Sequence, residues 1–189
     1  MSRMTLSDFE ARYRANPDPW GYTTSPYERD KYAATLAACG AGPFSRALEL
    51  GASIGVFSAA LAQRCGHLTT NDAAPTAVEI ARRRLAGTPG VEILEGTIPG
   101  AIPDGPYELV VASEILYYLI ADELEATLDR LSGQMTPGAR LLAVHWRPDG
   151  PERPLTAEEV HTTLGRQAWL QSVGRAGTDE YRLDVLVRR

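Results

Sequence analysis

Two kinds of run succeed one another along this chain: short apolar stretches broken by glycine, and longer stretches with apolar residues at helical spacing. Ala47, Leu48 and Leu50 break at Gly51 and Gly55, and Phe57, Ala60, Leu61 and Arg64 follow at helical spacing. That predicts strand, tight turn and helix. Leu68-Thr-Thr-Asn-Asp72 reads as a second strand, and Ala77, Ile80, Ala81 and Leu85 predict a helix from about Pro75 to Ala86, stopped by Gly87 to Gly90. Val91–Glu95 is a third strand, and Tyr107–Glu114 is the clearest buried one. Between them, Pro99 to Pro106 carries three prolines and two glycines, which excludes a regular helix. Leu124, Leu128, Leu131 and Met135 predict another helix, capped by Asp122-x-x-Glu125 and stopped by Pro137-Gly138, before a fifth strand at Arg140–Trp146. A helix capped by Thr156-x-x-Glu159 runs through Leu164 to Gly165. Gln167–Val173 and Tyr181–Val187 then form a closing antiparallel hairpin.

Ahead of the first strand lies a helical arm. Ser7-x-x-Glu10 and Ser25-Pro26-Tyr27-Glu28 are capping-box patterns. The second helix runs from about Pro26 to Cys39, with Ala33, Leu36 and Ala37 on one face and Gly40 as its stop. Asn16-Pro-Asp-Pro-Trp-Gly21 between the two is irregular around Trp20, which either anchors the arm to the core or belongs to a lid. The whole reads as one α/β domain, residues 1–40 being the arm and 44–189 the core.

Composition narrows the chemistry. With 189 residues the chain can bury a real core but has no room for a separate substrate domain. Acids outnumber bases 24 to 19, and the basic clusters are confined to Arg82-Arg83-Arg84 and Arg188-Arg189, so nucleic acid is not an expected partner. Cys39 and Cys65 fall in helical patterns and have neither metal-site nor disulfide-scaffold spacing. No apolar run reaches membrane-span length and the amino terminus lacks a signal-peptide core, so a soluble cytoplasmic protein is expected.

The glycine turn is the candidate cofactor site. At the carboxyl edge of a parallel sheet, glycine lets a ligand approach the backbone and the following helix presents free N–H groups. A dinucleotide fingerprint fails, because positions 51, 53 and 56 read Gly, Ser and Val; a P-loop fails for want of Gly-Lys-Ser/Thr. Glu49, Gly51, Ser53 in place of glycine, and Gly55 resemble the acid-then-Gly-x-Gly-x-Gly pattern of class I S-adenosylmethionine methyltransferases. Asp72 ends the next strand about twenty residues on, where an acid meets a ribose; it is either that acceptor or a helix cap. Glu114 and His145 end later strands on the same edge and are candidate general bases. Their alternatives are a local cap for the acid and a satisfied hydrogen bond for the histidine. His67, His145 and His161 are far apart in the sequence and read as unsupported.

Further residues sharpen the resemblance. Asp18-Pro-Trp20, Ser25-Pro-Tyr27-Glu28, Lys31-Tyr32, Ser113-Glu-Ile-Leu-Tyr-Tyr-Leu119 and His145-Trp-Arg147 look like the nodulation protein S group of methyltransferases. The resemblance implies a three-layer Rossmann-like sheet of seven strands in the order 3-2-1-4-5-7-6, with the arm folded over S-adenosylmethionine. It implies cofactor contacts from Trp20 and Tyr27; from Glu49, Gly51, Ala52, Ser53 and Gly55; from Asp72 and Ala73; and from Gly96, Thr97 and Ser113. Methyltransferases often carry an acid where this chain has Thr97. Arg29 or Lys31 is the candidate partner of the methionine carboxylate, and Tyr117, Tyr118 or Trp146 either face the sulfonium or pack in the core. The implied reaction is N-methylation of a small-molecule amine, an amino sugar by analogy with the group's de-N-acetylated chitooligosaccharide acceptor, leaving S-adenosylhomocysteine. The alternatives are a small-molecule O-methyltransferase and a non-catalytic module that binds the cofactor; a nicotinamide oxidoreductase is disfavoured by the glycine spacing.

Overall fold

The computed structural model describes residues 3–189. One seven-stranded sheet runs in the order β3-β2-β1-β4-β5-β7-β6. Its strands are β1 (Phe44–Leu50), β2 (Cys65–Asp72), β3 (Val91–Glu95), β4 (Tyr107–Ser113), β5 (Met135–Trp146), β6 (Leu170–Gly177) and β7 (Tyr181–Arg188). The helices are α1 (Leu6–Ala15), α2 (Pro26–Cys39), α3 (Val56–Ala62), α4 (Pro75–Arg84), α5 (Ala121–Gln134) and α6 (Ala157–Arg166). The first five strands pair in parallel, and β7 pairs antiparallel with both β5 and β6. No helix among the described residues is long and apolar enough to cross a membrane.

Continuous apolar runs place β1, β4 and β5 at the centre, because a parallel strand is covered on both faces. One apolar cluster, with Leu48, Val110, Leu128 and Leu164, fills the α5/α6 side; another, with Ala47, Leu61, Leu109 and Val144, fills the α2/α3 side. The strand order reverses between β1 and β4, where open α/β sheets leave a crevice beyond the carboxyl ends of their strands.

Several local expectations need correction. Thr5, not Ser7, caps α1: its hydroxyl accepts from the Asp8 N–H while the Asp8 carboxylate accepts from the Thr5 N–H at 2.8 Å. Glu10 is thereby free to accept from the Thr76 N–H (3.0 Å) and hydroxyl (2.7 Å), tying the arm to the start of α4. At α5 the Glu123 carboxylate, rather than Glu125, accepts from the first free N–H, that of Ile120, at 3.1 Å. Met135 leaves the helix and starts β5, paired with Tyr107; the register breaks before Leu109 pairs with Arg140, and the Pro137-Gly138 stop falls inside that irregular stretch. Cys65 opens β2 instead of closing a helix, and β6 starts three residues later than Gln167.

The most consequential correction concerns α2. Ala33 and Ala37 are exposed, and the buried stripe is Glu28, Lys31, Thr35 and Cys39. That spacing is helical, but its upper half is charged. A buried charge is tolerated only with partners, and those partners belong to the crevice.

Candidate functional site

At the end of β1 the chain enters a turn that only particular residues accommodate. Gly51 has φ +76°, and a Cβ there would lie 3.1–3.3 Å from the Ile115 side chain. Ser53 adopts φ +49° despite its side chain, so the glycine-like path survives at a cost of about 1 kcal/mol. Two bonds hold it there: its N–H donates to Asp72 Oδ2 at 2.8 Å, and its Oγ lies 2.6 Å from the Tyr13 hydroxyl. Asp72 Oδ1 accepts from the Ala74 N–H at 2.9 Å, so this acid braces both the glycine loop and the start of α4. Ala52 donates its N–H to the Asn71 carbonyl at 2.7 Å.

This turn forms the floor of a cavity of about 600 Å³. Gly51, Ala52, Ser53, Asp72 and Ala73 line it from β1 and β2, Gly96 and Thr97 from beyond β3, and Ser113 and Glu114 from the end of β4. Glu49 also reaches it, almost wholly buried and accepting from the Thr70 hydroxyl at 2.9 Å across the β1–β2 register. Burial pushes the Glu49 carboxyl up to about 7. Gly55 does not line the cavity. Its φ of +76° and the 3.2 Å from a notional Cβ to Ala81 make it the point where α3 packs against α4.

The arm closes the cavity from above. Trp20 and Tyr27 both line it, and Trp20 packs against Tyr13 (ring centroids 5.4 Å apart) and Tyr22 (5.9 Å). Trp20 thus packs as an anchor of the arm and lines the cavity as well. Arg12 pairs with Glu152, and the Met4 N–H donates to the Glu152 carbonyl at 3.1 Å, strapping the arm to the loop after β5.

Beside the glycine turn, at the end of the adjacent strand β4, stands a charged wall. Lys31, 2% exposed, donates to Glu114 Oε1 at 2.7 Å and to Glu28 Oε1 at 3.0 Å, and lies 5.0 Å from the Tyr27 ring centroid. Arg29, two residues earlier and so on another face of α2, is exposed and pairs with Asp30, away from the cavity. Glu114 sits at φ +56°; its Oε2 accepts from the Tyr117 hydroxyl and from the Trp146 N–H at 2.9 Å. Tyr117, Tyr118 and Trp146 all line the cavity, and the Arg153 guanidinium stacks over Tyr117 (4.6 Å) and Trp146 (4.9 Å).

His145 does not belong to this wall. It is fully buried, and its Nε2 accepts from the Leu116 N–H at 3.2 Å, so the proton sits on Nδ1, 3.1 Å from His161 Nε2. His161 donates in turn to Asp184 Oδ2 at 3.0 Å. Two of the three histidines read as unsupported, His145 and His161, are thus a linked pair, and the lone pair on His145 that a base would use is already taken. Burial holds both imidazoles below the usual histidine range. Burial alone would raise Asp184, but hydrogen bonds from His161, Arg182 and Arg175 overcome it and hold that carboxyl far below its ordinary value.

The sequence reading missed Glu28 as a site residue, taking it as half of a capping box. Its N–H does bond the Ser25 hydroxyl at 3.3 Å, but its carboxylate turns to Lys31. The available signal was the Glu28/Lys31 spacing of three on a helix. Tyr13 and Arg153 were missed as well, because their cavity contacts come from long-range packing.

The family model described as nodulation protein S matches residues 5–146. Nodulation protein S of Rhizobium tropici is 32% identical over 134 residues, covering 69% of this chain and 56% of that protein, so the match spans little more than half of the relative. Among solved structures, N-methyltransferase NodS from Bradyrhizobium japonicum WM9 in complex with S-adenosylhomocysteine superposes with a TM-score of 0.86 at 26% identity, covering 97% of each chain. A putative methyltransferase from Pseudomonas syringae gives a TM-score of 0.76 at 35% identity, over 86% of this chain and 99% of that one.

Proposed function

This chain belongs to the nodulation protein S family, and on that premise we propose that it is an S-adenosylmethionine-dependent methyltransferase acting on the nitrogen of a small-molecule amine. One observation carries the reading. A single cavity runs from the glycine turn braced by Asp72 to an acidic wall at the end of β4.

The residues present suit the cofactor. Gly51 is open where a Cβ would close on Ile115, and Asn71 Oδ1, on a residue lining the cavity, has no partner among the described residues. Asp72 is the candidate acceptor for the ribose hydroxyls, with Gly96 and Thr97 at the adenine end and Lys31 toward the methionine carboxylate. Trp20 and Tyr27, with the arm over the crevice, exclude water. S-adenosylmethionine supplies an activated methyl group, so the protein's main task is positioning.

Glu114 is assigned the acceptor side. Hydrogen bonds from Lys31, the Tyr117 hydroxyl and the Trp146 N–H fix the position of its two carboxyl oxygens, which suits it to orient an amine N–H. A de-N-acetylated chitooligosaccharide is the first acceptor to try, and the nitrogen assignment follows the N-methyltransferase similar to this chain. The test is methyl transfer from labelled S-adenosylmethionine, read by mass spectrometry, to that oligosaccharide and to its fully acetylated form. Methylation confined to the free amine is expected. Methylation of both forms alike would replace the nitrogen reading by an O-methyltransferase, and cofactor binding without turnover on any amine or hydroxyl would favour a binding module.

A further inference from the structure

The charged stripe of α2 leaves an imbalance. Lys31 is shared by Glu28 and Glu114, so three charges in the wall sum to one negative. Glu28 is 8% exposed, yet its Oε2 has no hydrogen-bond partner among the described residues, although the residue lines the cavity. Glu49 and Asp72 add carboxyls on the floor; besides Lys31, the cations lining the cavity among the described residues are Arg153, half-buried and donating to the Trp146 and Pro148 carbonyls, and Arg3. The rim acids Glu123 and Glu152 are taken by Arg3 and Arg12. A buried carboxylate oxygen without a partner is costly unless something supplies one. Burial also raises the Glu28 carboxyl, against the pull of Lys31.

We infer that Glu28 is a specificity-determining residue that makes the cavity select ligands by positive charge, the surplus carboxylate being balanced only when a sulfonium or ammonium is bound. The selection presupposes the adenosyl cofactor assigned to the same cavity. Its chemical logic is directional. S-adenosylmethionine carries one more positive charge than S-adenosylhomocysteine, so the same carboxylate that favours the methyl donor weakens the grip on the spent product. A protonated amine acceptor offers the same chemistry from a second source.

Calorimetry separates the two sources. Wild-type protein, Glu28→Gln and Glu28→Asp are titrated with S-adenosylmethionine, with an analogue bearing an ammonium in place of the methylsulfonium, and with S-adenosylhomocysteine. Glucosamine is then titrated into the product-bound form. Thermal unfolding of each variant establishes that it is folded. If the cofactor is the source, Glu28→Gln lowers the preference for the cationic adenosyl ligands over S-adenosylhomocysteine by roughly three- to tenfold, while Glu28→Asp keeps most of it. If the acceptor is the source, those ratios stay and the glucosamine affinity falls by a similar factor. Adenosyl ligands that bind with ratios and glucosamine affinity unchanged in Glu28→Gln would overturn the selection alone; no adenosyl binding by wild type would overturn the cofactor assignment and the selection built on it.

Discussion

His145 Nδ1 lies 3.1 Å from His161 Nε2 in the dry interior, and the chain they form runs from the Leu116 N–H to Asp184. Each ring donates from one nitrogen and accepts at the other, so both must be neutral for the chain to close. Protonating either leaves two N–H groups facing each other or releases Leu116, the first residue of the turn that carries Tyr117 to Glu114.

A pH dependence follows. Both histidines are held below their ordinary 6.5, so the unfolded chain takes up their protons first and stability falls as the pH drops below that value. The loss approaches about 1.4 kcal/mol per pH unit for each histidine. His145→Gln, which keeps an acceptor for Leu116, should flatten the slope between pH 6.5 and 5 by up to one proton's worth. Urea unfolding at stepped pH measures it, and an unchanged slope would place the pH response elsewhere.

The two glycines of the first turn should separate cleanly. Gly51→Val forces a β-branched residue to φ +76° with its Cβ against Ile115 at the cavity floor, and S-adenosylhomocysteine affinity should fall by more than about tenfold. Gly55→Ala meets Ala81 in a helix contact instead, and should cost about 1–3 kcal/mol of stability with affinity nearly unchanged. Calorimetry and denaturation, run on both variants, would show the reverse pattern if the roles were exchanged.

Asp72→Ala should do both kinds of damage. It strips the partner from the Ser53 and Ala74 N–H groups, costing about 1–3 kcal/mol of stability, and removes the proposed ribose acceptor. Cofactor affinity should fall at least about tenfold. A variant that is less stable yet binds as wild type would make Asp72 a brace alone.

Glu49 titrates in the opposite sense to the histidines. Its carboxyl is raised from 4.5 to about 7 in the folded protein, so its favourable contribution is complete below pH 4.5 and is lost as the pH rises through 7. Glu49→Gln should gain on wild type by about 1–3 kcal/mol between those values, provided the amide keeps the Thr70 bond. Parallel stability–pH curves for the two proteins would show that the Glu49 carboxyl is not raised.

Particular residues mark how far the sequence was legible. The β1 turn was readable because Gly51 and Gly55 interrupt an apolar run, and Asp72 because it ends a strand one βα unit on. Met135 was not: it is buried in either conformation, so the phase of Leu124, Leu128 and Leu131 carried it into the wrong element. Cys65 failed similarly, one residue past the α3 pattern. His145 lies on the expected edge of the sheet, but strand alternation turns its ring toward His161 while the next residue's N–H meets Glu114. In α2 the alanines promised the buried face, and the charged residues took it because Glu114 waits across the crevice for Lys31.

What the sequence by itself determined is local: runs of apolar residues long enough for buried strands, the glycines that end them, helix caps to within a residue or two, and an acid at the ribose distance. These depend on backbone preferences and burial, which neighbours along the chain express directly. Tertiary structure alone decided which carboxylates share Lys31, that Tyr13 reaches Ser53, that His145 and His161 form one chain, and that Gly55 serves packing while Gly51 serves the cavity. Apart from Glu28 and Lys31, three positions apart on α2, those pairings join residues 16 to 83 positions apart. The Coulombic and hydrogen-bond energies that fix them exist only once the sheet has brought its carboxyl edge, the arm and α2 together around one cavity.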